Sequence, residues 1–186
     1  MTLARWLRGA AAATTALALA GCSPTPAPSP SPTGADGVPE WDPPAGTELD
    51  VGVDEAVDQF SGLFEDARTA ASEVNGQELT WQGLAQEVSL RPTASGDVCA
   101  LYLSDTNEEF IEGGFDVEAP LLLTTWAATL EGHDFPAPEQ VFKDAGGGNV
   151  VVSDRDGIRF RATHATRVTL TLLAPLPDEL CESPDS

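Results

Sequence analysis

Positive charge is scarce in this sequence. Its 186 residues hold 9 lysines and arginines against 30 aspartates and glutamates, and Lys143 is the one lysine. A formal net charge of −21 repels phosphates at long range. It therefore argues against nucleic acid as a partner and keeps the chain off an anionic membrane surface. Histidine occurs at two positions, His133 and His164, and no Gly-x-Ser-x-Gly elbow is present, so the usual equipment of a serine hydrolase is missing. Cysteine occurs only at positions 22, 99 and 181, and the paired thiol and imidazole spacing of a zinc site is absent. No apolar run reaches the ~20 residues of a bilayer-spanning helix.

What the chain does have begins at its N-terminus. Arg5 and Arg8 give a basic start, Gly9 to Ala20 is almost entirely Ala and Leu, and Leu19-Ala20-Gly21-Cys22 follows. An apolar core of about 12 residues behind a basic start, ending in small residues, reads as a secretory signal over residues 1–21. The tetrapeptide resembles the lipobox of bacterial lipoproteins, in which the cysteine thiol receives a diacylglyceryl group and becomes the first mature residue. The resemblance implies lipidation at Cys22 (palmitate-type acyl chains) and anchoring to the outer, extracytoplasmic face of the cell membrane. Two or three acyl chains give stable attachment where one gives only marginal binding. Arg5 and Arg8 leave with the signal, which makes the net charge of −21 two units more negative. With Cys22 lipidated, Cys99 and Cys181 remain. Two thiols in an exported domain are expected to pair as a disulfide, closing a loop worth about 2–4 kcal/mol.

Residues 22–48 read as a tether. Alternating proline between Ser23 and Pro32 favours polyproline II, and large apolar residues are few. Trp41 is the exception, an aromatic placed to fold back on the domain. Order is expected over residues 49–183 as a single domain. Apolar residues at Val53, Ala56, Val57, Phe60, Leu63, Phe64, Ala67, Ala70, Ala71 and Val74 recur at helical spacing. Asp50 or Asp54 is available as a cap, and Asn75-Gly76 is a stop signal. Short strands follow at Glu78 to Trp81 and Gln86 to Arg91, a turn over 92–97, and a strand from Val98 to Leu103. Residues 104–116 read as a loop. A second helix has Pro120 in its first turn and a stripe of Leu123, Trp126, Ala127 and Leu130. The last third is strands: 140–143, 149–153, 158–163 and 168–173, with a hairpin turn over 154–157. The expected fold class is α+β, an antiparallel sheet with two helices packed on one face.

The run from Thr80-Trp81 through Gly96 and Cys99, then Trp126 to Gly132, Asp154-Arg155-Asp156-Gly157 and a last strand leading to Cys181 resembles the LppA-like lipoproteins of mycobacteria and related bacteria. The likeness spans roughly the last hundred residues and rests on spacing. It implies a lipid-anchored envelope protein, and it carries over no catalytic residue.

The residues that bear chemistry are few. Asp154-x-Asp156-Gly157 echoes part of a calcium loop, but position one falls on Val152 and the distal glutamate is missing, so it reads as a turn. Asp105, Glu108, Glu109, Glu112 and Asp116 form an acidic loop that reads as solvated. Gly146-Gly147-Gly148 lacks the Lys-Ser/Thr of a phosphate loop. No metal site and no cofactor are expected. Arg155, Arg159, Arg161 and Arg167 gather near the last hairpin, with Arg159 and Arg161 sharing one face. They either pair with the domain's own carboxylates or make a patch for an anionic partner at Arg159, Arg161 and Arg167. The expected function is a non-enzymatic binding or interaction module for an envelope protein, a wall polymer or a small ligand. The alternative is an extracytoplasmic hydrolase using His133 or His164 with acidic residues.

Overall fold

A long helix and an antiparallel sheet organise the domain. The computed structural model describes residues 37–110, 117–144 and 146–182. The signal over 1–21, Cys22, the first part of the tether, Glu112 and Asp116 lie outside the described residues. Helix α1 (Val53–Asn75) follows from its three- and four-residue apolar spacing, which buries Ala56, Phe60, Leu63, Phe64, Ala67, Ala70, Ala71 and Val74. It stops at Gly76, whose φ of 69° is the left-handed conformation that glycine tolerates best. Its start differs from expectation. Gly52 is the N-cap and makes no side-chain cap, so neither Asp50 nor Asp54 holds that end.

Six antiparallel strands follow: β1 (Ala85–Thr93), β2 (Gly96–Thr106), β3 (Val141–Lys143), β4 (Asn149–Arg155), β5 (Ile158–His164) and β6 (Val168–Pro175), in the order β1-β2-β6-β5-β4-β3. Helix α2 (Ala119–Glu131) lies between β2 and β3 in sequence, and a short α3 (Glu179–Glu182) ends the described chain. Helices α1 and α2 pack on one face of the sheet, so the α+β architecture is the one the sequence pattern predicts.

Three local expectations change. Glu78 to Trp81 is no strand: Trp81 makes a single bridge to Asn107, because the Thr80 amide donates instead to the Glu109 carboxylate at 3.0 and 3.1 Å. The first hairpin is tighter than 92–97, with β1 running to Thr93 and β2 starting at Gly96. Pro92 fits because β1 is an edge strand, where a missing N–H costs no ladder bond. The buried stripe of α2 is Leu122, Trp126 and Leu130, strictly four apart, and Leu123 and Ala127 are half-buried beside it.

The core sits between the helices and one sheet face. Phe160 meets Phe64 edge-on at 6.4 Å and Trp126 at 5.6 Å, and Leu101, Leu103, Leu170 and Leu172 complete the floor with no exposed surface. Each such side chain contributes about 1.5–3 kcal/mol by leaving water. Cys99 on β2 and Cys181 on α3 are joined in a disulfide across 82 positions, which ties the end of the chain to a central strand.

Residues 38–48, read from composition as the last of the tether, lie against the domain, as does Leu49. The Trp41 indole N–H donates to Gly157 O at 2.8 Å, Asp42 accepts from the Ser95 amide and hydroxyl, and the Leu49 amide donates to Pro175 O at 2.9 Å. Their route passes the end of the sheet where the β1–β2 and β4–β5 turns lie. Asp156 and Gly157, with φ of 49° and 82°, form the two-residue turn between β4 and β5. A Cβ on Gly157 would run into Thr47 and Pro43, so this turn needs glycine for both conformation and room.

Candidate functional site

Strand alternation gives the sheet a second face, away from the helices. Register places Arg159 beside Leu173, Arg161 beside Thr171 and Thr163 beside Thr169. Tyr102, Ser104 and Thr106 continue these rows on β2. Val38, Pro39, Glu40 and Trp41 stand over this face and enclose a cleft of about 540 Å³, with Tyr102, Arg159, Arg161, Thr163, Thr169, Thr171 and Leu173 as its floor. It differs in chemistry from the depression of about 610 Å³ near the α1 N-terminus, which is lined by Asp54, Glu55 and Glu87. Ligand space between α1 and the body of the sheet is filled by the core. A second hollow lies at the C-terminal end of α1, around Arg68, Ser72 and Trp81.

The arginines separate into distinct roles. Arg159 and Arg161 do share the uncovered face, but Arg159 is not exposed: it retains 8% of its surface. Its Nε and Nη2 donate to the two oxygens of Asp154 at 2.6 and 2.7 Å, and Nη1 donates to Pro39 O at 2.5 Å. A guanidinium this buried requires such pairing, because an uncompensated charge away from water costs several kcal/mol. Arg161 is half-buried in the cleft and donates from Nε to Thr163 Oγ1 at 3.1 Å. Arg167 is exposed at the turn between β5 and β6. Arg155 belongs to the opposite face, where it donates to His133 O at 2.7 Å and lies 4.6 Å over the Phe135 ring. Of the four, the cleft brings together Arg159 and Arg161.

The two histidines are also placed apart in role. His164 has no exposed surface and accepts the Trp126 indole N–H at Nε2, 3.0 Å away. Burial pushes its imidazole down to about 4, so it is neutral at ordinary pH. His133 is partly exposed, with Nε2 2.9 Å from Asp66 Oδ2. Asp105 is buried and paired with Arg68, and it accepts from the Gly83 amide at 3.1 Å. The Glu109 carboxyl is held at about 2 by hydrogen bonds from Thr80, its own backbone and Asn107. The acidic stretch thus has structural partners at Asp105 and Glu109. Among the described residues, no three of His, Cys, Asp and Glu group as metal ligands. The glycine run is closed by its own neighbour: the Gly148 amide donates to Asp144 Oδ1 at 2.6 Å.

Sequence reasoning brought Trp41 back onto the domain but missed the rest of the cleft wall and most of its floor. The signal was present in part, since Thr169 and Thr171 alternate with Val168, Leu170 and Leu172 and so mark the uncovered face. That Tyr102, Thr163 and the arginine row stand next to them depends on strand order, which alternation does not encode. Comparison with protein-family models, with curated proteins and with solved structures finds no match, so the likeness to LppA-like lipoproteins rests on the quoted residues alone.

Proposed function

We propose that this protein is a lipid-anchored cell-envelope lipoprotein, a non-enzymatic binding module held on the outer face of the membrane by acyl chains on Cys22. The observation that carries the reading is the pairing of Cys99 with Cys181. A disulfide suits an exported, oxidising location, and it leaves Cys22, in Leu19-Ala20-Gly21-Cys22, as the remaining thiol. The uncovered, strap-walled sheet face supports binding as the domain's role, for an envelope protein, a wall polymer or a small ligand. The hydrolase alternative gains nothing from the histidine positions, because His164 is enclosed in the core and His133 faces Asp66.

Metabolic labelling with an alkyne fatty acid tests the anchor. Wild-type protein takes up the label and sediments with membranes, whereas Cys22→Ser takes up none. Equal labelling of the two would overturn the reading.

A further inference from the structure

The cleft under residues 38–41 combines groups that a charged sugar recruits together. Arg161 sits at the centre of the floor, flanked across the register by Thr171 and one pleat along by Thr163. Because Arg161 Nε donates to Thr163 Oγ1, that hydroxyl has an acceptor site filled and its own proton aimed elsewhere. Trp41 and Tyr102 supply apolar ring surface at the two sides. The Trp41 indole N–H is already spent on Gly157 O, which fixes the ring against the turn and leaves its face as the interacting part. Arg91 lies 4.9 Å over the Tyr102 ring outside the cleft, where its Nη2 donates to Glu87 Oε1 at 3.1 Å and its plane steadies the ring. A volume of about 540 Å³ falls within the usual range for small-molecule sites.

We propose that this cleft binds a saccharide carrying one carboxylate or phosphate, with the anionic group on Arg161 and sugar hydroxyls on the threonines and Glu40. Three features narrow the class. A chain of net charge −21 holds off anions elsewhere, so a local guanidinium selects where a single anionic group can land. Glu40 on the wall accepts hydroxyl protons and repels a second anionic group. Aromatic surface beside hydroxyls suits the C–H faces and O–H edges of a pyranose and adds nothing for an inorganic ion. The proposal deepens the binding-module reading and rests on it.

The test uses the full mature lipidated chain in detergent, labelled with ¹⁵N and followed at the tryptophan indole N–H resonances, with Trp41→Phe identifying the cleft signal. Glucuronate, glucose 1-phosphate, glucose and inorganic phosphate are titrated separately. The Trp41 resonance is expected to shift and saturate with glucuronate or glucose 1-phosphate at concentrations about tenfold below those needed for glucose or phosphate, while the Trp126 resonance stays still. Arg161→Gln should raise the half-saturation point about tenfold, the worth of one charge-assisted hydrogen bond, and Thr171→Val severalfold. Arg161→Lys keeps the charge without the planar fork and should lie between them, which preserves the test if the glutamine variant disturbs Trp126. Absence of saturation with both sugar acids, an equal response to phosphate alone, or unchanged affinity in the Arg161 variants would overturn it. Intact mass on the same preparation reports acylation of Cys22, so a failed anchor and a failed cleft are told apart.

Discussion

The two faces of the sheet use the same strands for opposite ends. On the covered face, Phe160, Ala162, Leu170, Leu172, Leu101 and Leu103 pack into the core with the helices and have no exposed surface. One residue along, Arg161, Thr171, Thr169 and Tyr102 lie half-buried beneath a strap of chain, beside an Arg159 that is buried and paired with Asp154. Half-burial leaves polar side chains on the second face without costing the core. The lesson is that a period of two separates core-forming side chains from polar, accessible ones within a single strand.

The sharpest way to break this comparison is to substitute neighbours on β5. Phe160→Ala should cost about 3–5 kcal/mol in denaturant unfolding, the usual toll of emptying a core aromatic site. Arg161→Gln, next in the chain but on the other face, should cost less than about 1 kcal/mol. Similar losses at both positions would mean that the faces are not specialised.

A second test titrates the covered face. His164 has a folded value lowered from 6.5 to about 4 by burial, so the unfolded state binds the extra proton first as pH falls. The stability it contributes is complete above 6.5, declines as pH drops from 6.5 toward 4, and changes no further below that. The shift corresponds to roughly 3 kcal/mol over the window. His164→Gln should flatten the pH dependence of unfolding between 6.5 and 5, before most carboxylates titrate. An unchanged slope would place the proton uptake elsewhere.

The smallest effect belongs to the strap. Trp41→Phe removes the hydrogen bond to Gly157 and keeps most of the ring, so about 1 kcal/mol or less of global stability is at stake. Hydrogen exchange should nevertheless quicken at the Leu49 amide, which donates to Pro175 from the far end of the strap. No change there would show that residues 38–49 are held by other contacts.

Much of the covered face was legible in the sequence, because it obeys periods. The three-four spacing of α1, the alternation in β6 and the Asp156-Gly157 turn each name their own structure. The uncovered face was harder to read. Pairing of Arg159 with the domain's own carboxylates is one of the two readings its sequence offers, but which groups surround it is not: Asp154 and Pro39 do, and Pro39 comes from 120 positions away. Proline-rich composition concealed the strap, whose anchoring depends on Trp41, Asp42 and Thr47 meeting two distant turns. In α2 the pattern names Trp126 and Leu130 correctly but takes Leu123 for Leu122, since Leu121, Leu122 and Leu123 are equally apolar and only packing selects among them.

The proposed function has the domain displayed on the outer face of the membrane, and that proposal hangs on Cys22. Intact-mass spectrometry of protein extracted from its native membrane is the most direct measurement. The account predicts a chain beginning at Cys22, heavier than its sequence by two or three acyl chains and lighter by the two hydrogens of the Cys99–Cys181 bond. A chain that retains residues 1–21, or one that starts at Cys22 with no acyl mass, would contradict it.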